Sequence, residues 1–430
     1  MNKTVALFCL AIAVIAIPFL NGCNELPTDV AYPMVYDTMS VAAVSSLDYE
    51  NLITGQRIIN LHKGILNSGG LLIGQYGDTK SAAFIRCGDL PDSLQYMTAD
   101  RIISAKLTLK ANRWAMGDST GNLHFGVYKV KKLWMVSATW DSIFTSPADY
   151  IDYSKVIASY NDPIPLSEDM VTDVVMDFDK ELAAEWLKYG SDTSQYINLG
   201  IAMVPSSDCN QIRRFAAQHI ASTSDSIVYY NNLQVVYLDS NNVTDTITLN
   251  SAMDYTLSTA TLPSDDEFVL QGATQFATQL DFDFSVLPDN IAIHSATLLL
   301  TLDPDKSVFS NYNTDSLRDY QLSSIYYAKT TDTASADTLT PVMYASRLDD
   351  HYTYKFSLFT YAAEYLNAYA PGRKGSVIFT RMPVKPQYLS PDKYVFHGIN
   401  DPNIELRPRL QIIYSRRPDY SKGTMKGESE

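Results

Sequence analysis

The stretch Ile103-Ser104-Ala105-Lys106-Leu107-Thr108-Leu109 decides the fold class of this chain. Apolar and polar side chains alternate along it with period two, the pattern of a strand with one buried face and one wet face. The pattern recurs 191 residues later as His294-Ser295-Ala296-Thr297-Leu298-Leu299-Leu300-Thr301-Leu302. A Leu-Pro pair precedes each copy and a polar loop follows it. The sequence therefore predicts β-structure that is built twice.

Two further matches between the halves follow in the same order. Ala183-Ala184-Glu185-Trp186-Leu187 recurs as Ala362-Ala363-Glu364-Tyr365-Leu366, which predicts a short helix whose aromatic residue packs inward. Leu233-Gln234-Val235-Val236-Tyr237 recurs as Leu410-Gln411-Ile412-Ile413-Tyr414, the closing strand of each half. The offsets shrink gradually, from 191 to 179 to 177 residues. Three matches in series indicate a tandem duplication.

Length and turn signals define the architecture that we expect. A chain of 430 residues is too long for one ordinary core. Short strands separated by Gly, Asn, Asp and Pro clusters predict an all-β protein of two tandem antiparallel jelly-roll-type β-sandwich domains, each with one short helix. The predicted segments are a lipoprotein signal peptide (1–22), a lipidated tether (23–48), the first sandwich (49–240), the second sandwich (241–415) and a disordered tail (416–430).

The N-terminus carries an export signal, with Lys3 ahead of an apolar run over residues 5–20. Leu20-Asn21-Gly22-Cys23 resembles the lipobox of bacterial lipoprotein signal peptides. That resemblance implies cleavage before Cys23 and acylation of this residue, including by palmitate. The alternatives are a plain secretory signal and an anchor helix. Pro18 and Asn21 interrupt the run of about 20 apolar residues that a spanning helix needs.

The residue after the lipobox and the overall charge narrow the location and the partners. Asn24 stands where many inner-membrane lipoproteins have aspartate, which by resemblance favours the outer membrane. We expect a lipid-anchored, extracytoplasmic protein, and its periplasmic or cell-surface orientation stays open. The formal charge of −15 argues against nucleic acid and against electrostatic binding to anionic headgroups. Cys87 and Cys209 form one disulfide or remain two buried thiols.

The first half also carries a series of motifs of a known family. Val127-Tyr128-x-Val130 leads into Trp134-x5-Trp140, and Asn198-x-Gly200 follows later. This order resembles the DNRLRE-type domains, β-sandwich modules related to a family of alginate-binding carbohydrate-binding modules. The layout is also similar to the repeat-sandwich surface lipoproteins of Bacteroidetes-type bacteria. The second half lacks the paired tryptophans, so a ligand site built on them would exist once.

Four residues of the first half are the candidate ligand contacts. Trp134 and Trp140 fit a sugar platform by resemblance, because an exposed aromatic ring stacks on the apolar face of a sugar. The alternative is that both rings fill the core. Trp114 lies where the strand is predicted to end, beside Arg113. We expect Trp114 either on an exposed loop, forming a contact surface with Arg113, or in the core.

Signatures of catalysis and metal binding are missing from the sequence. The six histidines are scattered, and neither His-x-x-x-His nor Cys-x-x-Cys spacing occurs. We therefore expect neither an enzyme nor a bound cofactor. The acidic loops at residues 264–267 and 303–305 offer a structural calcium site, against the simpler interpretation as solvated loops. The predicted function is non-catalytic binding of carbohydrate or cell-surface material. The alternative is a structural or adhesive protein that contacts protein partners, with the sandwiches as spacers.

Overall fold

The structure is a computed structural model. It describes residues 41–416 except for 61–64, 67–69, 89, 119, 135–137, 166–170, 193, 195–197, 218–229, 275, 290, 311–322, 329–342, 351, 367–372 and 381–390. The predicted signal peptide, the lipidation site Cys23 and the predicted tail beyond residue 416 lie outside the described residues.

The described chain is all-β, and its strands pair antiparallel. In chain order the strands are β1 (Val41–Ser45), β2 (Ile53–Asn60), β3 (Ile65–Leu66), β4 (Leu71–Tyr76), β5 (Thr79–Cys87), β6 (Ile102–Gly117), β7 (Leu123–Val130), β8 (Ile151–Asp152), β9 (Ala158–Asp162), β10 (Val171–Asp177), β11 (Ile201–Pro205), β12 (Gln211–Phe215), β13 (Asn232–Leu238), β14 (Thr244–Thr259), β15 (Phe268–Gln271), β16 (Phe276–Asp283), β17 (Ile291–Thr301), β18 (Ser323–Ala328), β19 (Met343–Tyr344), β20 (Ser346–Arg347), β21 (Thr353–Ser357), β22 (Lys374–Thr380), β23 (Lys393–Phe396) and β24 (Arg409–Arg416).

Four α-helices interrupt the described strands: α1 (Trp140–Phe144), α2 (Pro147–Tyr150), α3 (Lys180–Tyr189) and α4 (Phe359–Leu366). The predicted single helix per sandwich corresponds to α3 and α4, and the first sandwich adds the short α1 and α2. Asp179 caps α3 by accepting a hydrogen bond from the Leu182 amide at 2.9 Å. Gly190 ends it with φ +54. Trp186 on α3 is 1% exposed, as predicted for the inward-facing aromatic residue.

The alternating stretch forms β6, and its pattern contains one irregularity. Ala105, Leu107 and Leu109 are buried as predicted, whereas Ile103 is 48% exposed. The pairing with β13 shifts register at Ile103, so a β-bulge turns this side chain away from the core. The pairing of β17 with β24 shifts at His294, the matching position of the second copy. A bulge at the same place in both copies supports the duplication.

The first sandwich is built from one folded sheet. Its strand order is β3-β14-β13-β6-β12-β4-β5-β11-β7-β8, with β10 on the far side of β6 and β9 on β7. Strand β14 also pairs with β5, so the sheet folds back on itself. Strand β6 is long enough to run from β13 and β10 at one end to β12 at the other. Its core includes Leu107, Phe125, Trp186 and Leu233.

The second sandwich packs two sheets face to face. One sheet has the order β1-β24-β17-β21-β20, and the other has the order β19-β18-β22-β16-β15-β23 with β2 on β16. Phe356 of the first sheet and Phe379 of the second meet edge to face, 5.3 Å between ring centroids. The buried cluster between the sheets also contains Leu298, Leu300 and Leu410. We call the first of these sheets, which carries β17 and β24, the five-stranded sheet.

Strand pairing divides the chain differently from the predicted ranges 49–240 and 241–415. Strands β1 and β2 pair with β24 and β16, so residues 41–60 belong to the second sandwich. Strand β14 pairs with β13 and β5, so residues 244–259 belong to the first. The predicted boundaries are wrong at these strands because alternation shows that a strand has a buried face without showing which sheet receives it.

Candidate functional site

Trp114 is not on an exposed loop, which corrects the sequence-based expectation. Strand β6 continues through it to Gly117, and its side chain is 5% exposed. It packs in a buried cluster with Leu72, Met116 and Ile212 of the first sandwich and with Ala273 and Val308 of the second. Arg113 is exposed on the opposite face of the strand, because successive strand residues point to opposite sides. These two side chains therefore do not form a joint contact surface.

The rings of Trp134 and Trp140 also pack against other side chains of the first sandwich. Trp134 is 5% exposed, and its indole N–H donates to the Leu199 carbonyl at 3.2 Å. Its ring stacks on Tyr255 at a centroid distance of 5.5 Å. Trp140 is half-buried and stacks on Phe144 at 4.1 Å. The crevice beside Trp140, about 20 Å³, holds about one water molecule and has no room for a sugar ring.

The other predicted sites resolve into ordinary packing and ion pairs. Cys87 and Cys209 are both buried free thiols, so the disulfide alternative is not formed. The two acidic loops approach each other, but a lysine lies between them. Lys306 Nζ is 3.2 Å from Glu267 Oε1 and 4.0 Å from Asp303 Oδ2. Among the described residues there is no group of three His, Cys, Asp or Glu side chains placed to hold a metal ion.

A larger opening lies on the outer face of the five-stranded sheet, and we call it the outer cleft. Its volume is about 440 Å³, within the range of about 300–1,000 Å³ typical of ligand sites. Leu299 and Thr301 of β17 face it, because their neighbours Leu298 and Leu300 point into the core. Thr353 pairs with Thr301, and Arg409 pairs with Leu299. The remaining lining residues are Leu302, Pro304, Asp350, Tyr352, His397, Glu405, Leu406 and Arg407.

One wall of the outer cleft is the segment 397–407, which is held by its own polar contacts. His397 Nδ1 and Asp401 Oδ2 are 2.7 Å apart. Asp401 also accepts from the Asn403 amide at 2.8 Å, and its carbonyl accepts from Arg407 Nε at 2.5 Å. Burial by itself would raise the pKa of Asp401, but the hydrogen bonds from His397 and Asn403 outweigh it and lower that pKa. The carboxylate therefore organises this wall.

The opposite side of the outer cleft presents an aromatic ring. Tyr352 is 50% exposed, whereas the tryptophans considered above are buried or half-buried. Its backbone is fixed, since the Tyr352 amide donates to Asp350 Oδ1 at 3.0 Å and its carbonyl accepts from the Leu302 amide at 2.8 Å. Asp350 also accepts from the amide and the hydroxyl of Thr353. The Asp350 carboxylate is thus engaged in hydrogen bonds to Tyr352 and Thr353, and these bonds fix the backbone that carries the Tyr352 ring.

Arg409 supplies hydrogen-bond donors to the outer cleft. It contacts the carboxylate of Glu405, which is 4.0 Å away and 75% exposed, so the contact is weak. Its buried Nε has no acceptor within the described part of the chain. The outer cleft therefore combines an exposed aromatic ring with a guanidinium that is incompletely paired internally.

Sequence reasoning missed the outer cleft. Its residues come from three segments, around residues 299–304, 350–353 and 397–409, that carry no recognisable motif. A partial signal exists in the second copy, where Leu299 breaks the alternation with an apolar residue on the outward face.

Comparisons with known proteins leave the family open. No protein-family model matches the chain, and no curated protein matches it. A solved structure of the M60 catalytic domain with the CBM51-1 and CBM51-2 domains of Clostridium perfringens ZmpB aligns at a TM-score of 0.12 and 9% identity. That alignment spans 84% of this chain and 38% of the other chain. A similarity at this level supports no inference about fold or function. Within the described residues, none of the helices is both long and apolar enough to cross a bilayer.

Proposed function

We propose that this chain is a non-catalytic lipoprotein, anchored through Cys23 at the outer membrane, that binds carbohydrate in the outer cleft of its second sandwich. The observation that carries the proposal is that an exposed Tyr352 ring on a hydrogen-bonded backbone and the Arg409 side chain line one open cleft. Sugars have apolar C–H faces edged by hydroxyl groups, so an aromatic ring next to hydrogen-bonding groups suits them.

The charges around the outer cleft favour a ligand that contributes an acceptor. Asp350 and Asp401 are engaged by internal hydrogen bonds, whereas the Arg409 side chain, which is 32% exposed, makes only a long contact of 4.0 Å to Glu405 among the described residues. A sugar carboxylate offers two oxygens in the planar geometry that a guanidinium recognises. We therefore expect carboxylate-bearing saccharides to bind more tightly than neutral ones.

A glycan array probed with residues 24–430, followed by calorimetry on the retained glycans, tests the proposal. Tyr352→Ala should weaken binding about tenfold or more, which corresponds to a lost contact of about 1.4 kcal/mol. Tyr153→Ala is the matched control, because Tyr153 is 41% exposed and lies on the first sandwich. Equal loss of binding in both variants, or retention of binding in Tyr352→Ala, would remove the outer cleft from the proposal.

Anchoring is tested separately from binding. Metabolic labelling with a palmitate analogue should mark the parent chain and not Cys23→Ser, and the variant should leave the membrane fraction. Acylation by two or three chains, at about 0.8 kcal/mol per buried methylene, makes release of the parent negligible. A variant that remains membrane-bound through a salt and carbonate wash would contradict the lipid anchor.

The second candidate is a structural or adhesive protein in which the sandwiches act as spacers. Burial of Trp114 between the sandwiches favours it, because a packed joint is suited to holding two modules at a constant separation. Gln271 Nε2 also donates across this joint to Thr79 Oγ1 at 3.2 Å, with both side chains buried. Failure of every neutral and anionic glycan to bind the array would favour this candidate.

A further inference from the structure

The two sandwiches are closed by equivalent strands that come from different places in the chain. We call residues 41–60, which contain β1 and β2, the N-terminal arm. In the first sandwich, β14 pairs with the closing strand β13 and then with β5. In the second, β1 pairs with the closing strand β24, and β2 pairs with β16. The N-terminal arm therefore occupies the position in the second sandwich that β14 occupies in the first: each pairs with the closing strand and then with a second strand of its sandwich.

The correspondence extends to individual residues. Val44 pairs with Ile412, and Ile247 pairs with Val235. Ile412 and Val235 occupy the same position in the repeated Leu-Gln-x-x-Tyr motif. Val44 is buried in the second core, and Ile247 packs against the first core.

A second irregularity in strand pairing is shared by the N-terminal arm and β14, further along both. The pairing of β2 with β16 skips Thr54, and the pairing of β14 with β5 skips Ala252. Both bulges lie where the element changes its pairing partner: β14 passes from β13 to β5 within its folded sheet, and the N-terminal arm passes from β24 to β16 between two sheets. The N-terminal arm differs in one respect, since the short turn Glu50–Leu52 separates β1 from β2 where β14 is continuous.

The N-terminal arm also supports the wall of the outer cleft. Gln56 Oε1 accepts from the Ile399 amide at 3.2 Å. Ser46 Oγ accepts from the Leu410 amide at 2.9 Å, and the Ser46 amide donates to the Leu410 carbonyl at 2.9 Å. The first of these three hydrogen bonds reaches the segment 397–407, and the other two reach β24 next to Arg409. Loss of the N-terminal arm would remove these partners and expose the edges of β24 and β16.

We propose that the N-terminal arm is a latch that closes the C-terminal sandwich, so that the second sandwich and the wall of its cleft depend on the N-terminus of the chain and not on adjacent sequence. The first sandwich is closed instead by β14, which lies beyond its predicted end. The proposal concerns folding and shape, and it holds whether or not the outer cleft binds carbohydrate.

Hydrogen exchange read by mass spectrometry on the full chain tests the latch with a reciprocal pair of variants. Val44→Asp puts a carboxylate in the second core, and Ile247→Asp does the equivalent at the first. Val44→Asp should speed exchange at least about tenfold in β17, β21 and residues 397–408, and leave β6 and β10 protected. Ile247→Asp should give the opposite distribution, although residue 247 follows the first half in sequence.

Two further variants provide a matched control and a milder replacement for Val44→Asp. Val41→Asp is the matched control on the same strand, because Val41 is 64% exposed, and it should leave both sandwiches protected. Val44→Ala is the milder replacement if the aspartate variant fails to accumulate, and it should produce the same distribution with a smaller change. The proposal is overturned if Val44→Asp or Val44→Ala loosens β6 and β10 while β17 stays protected, or if Val44→Ala changes neither sandwich.

Discussion

Replacement of Trp114 by alanine tests whether this residue joins the two sandwiches or contacts a ligand. The side chain is 5% exposed and packs on both sandwiches. Burying about 200 Å² of tryptophan at about 25 cal/mol per Å² contributes about 5 kcal/mol. Core replacements of Trp by Ala usually cost about 3–5 kcal/mol. We therefore expect Trp114→Ala to lower the free energy of unfolding by about 3–5 kcal/mol.

Urea unfolding followed by far-ultraviolet circular dichroism measures this loss without relying on tryptophan emission. Arg113→Ala is the neighbouring control, because Arg113 is exposed on the other face of β6 and should change the free energy of unfolding by about 0.5 kcal/mol or less. Since Trp114 contacts both sandwiches, we also expect a less cooperative transition in Trp114→Ala, visible as a lower dependence of the free energy on urea.

A loss below about 1 kcal/mol in Trp114→Ala would refute the packing argument, because it would mean that the ring contributes little to the joint. Loss of glycan binding together with unchanged stability would restore Trp114 as a contact residue. Loss of stability with unchanged affinity would instead identify it as part of the joint.

Three further predictions follow from single residues. Burial raises the pKa of Cys87 to about 12, so this thiol should resist Ellman's reagent at pH 8 until the chain is unfolded. The pKa of Asp401 is lowered in the fold, so its stabilising contribution is present above its ordinary value of 3.8 and is lost as the pH falls through the lower folded value. The stability difference between the parent and Asp401→Asn should accordingly shrink as the pH falls below about 4, as measured by thermal melts from pH 5 downward. Gly200→Ala should cost about 1–3 kcal/mol in urea unfolding, because φ is +89 and a Cβ would lie 2.3 Å from the Ile85 carbonyl oxygen. Gly77→Ala should cost less, since its φ is +59 and no atom lies within 4 Å of the added carbon.

The fold class could be predicted from sequence because it depends on local alternation. Ala105, Leu107 and Leu109 are buried as their spacing requires, and Trp186 packs inward from its helix. The exposed position of Ile103 could not be predicted in this way. A bulge adds one residue to a strand without changing its composition, so its place is determined by the partner strand.

The candidate site could not be predicted, for two physical reasons. Large aromatic residues attract attention as ligand contacts, but burying them also stabilises a core, and burial prevails for Trp114 and Trp134. The outer cleft was missed for the opposite reason, because its residues do not stand out in the sequence. Tyr352 and Arg409 are ordinary surface residues in sequence, and they share a cleft only because β17 lies between β21 and β24. Such a site depends on strand order, which periodicity does not contain.

The N-terminal arm shows that the two sandwiches do not coincide with the two copies of the repeated sequence. Two copies in tandem need one closing element each, and β14 reaches the first sandwich through a short turn after β13. The equivalent element for the second sandwich would have to follow β24, where the described chain ends at Arg416. The N-terminal arm fills that position instead, and Val41 pairs with Ser415 across 374 residues of sequence. Pairing of this kind closes a long loop, yet the entropy of closure grows only with the logarithm of loop length, so a modest number of buried side chains such as Val44 and Leu52 offsets it. The second sandwich can therefore be completed only after β24 has been made, even though β1 and β2 come first in the sequence.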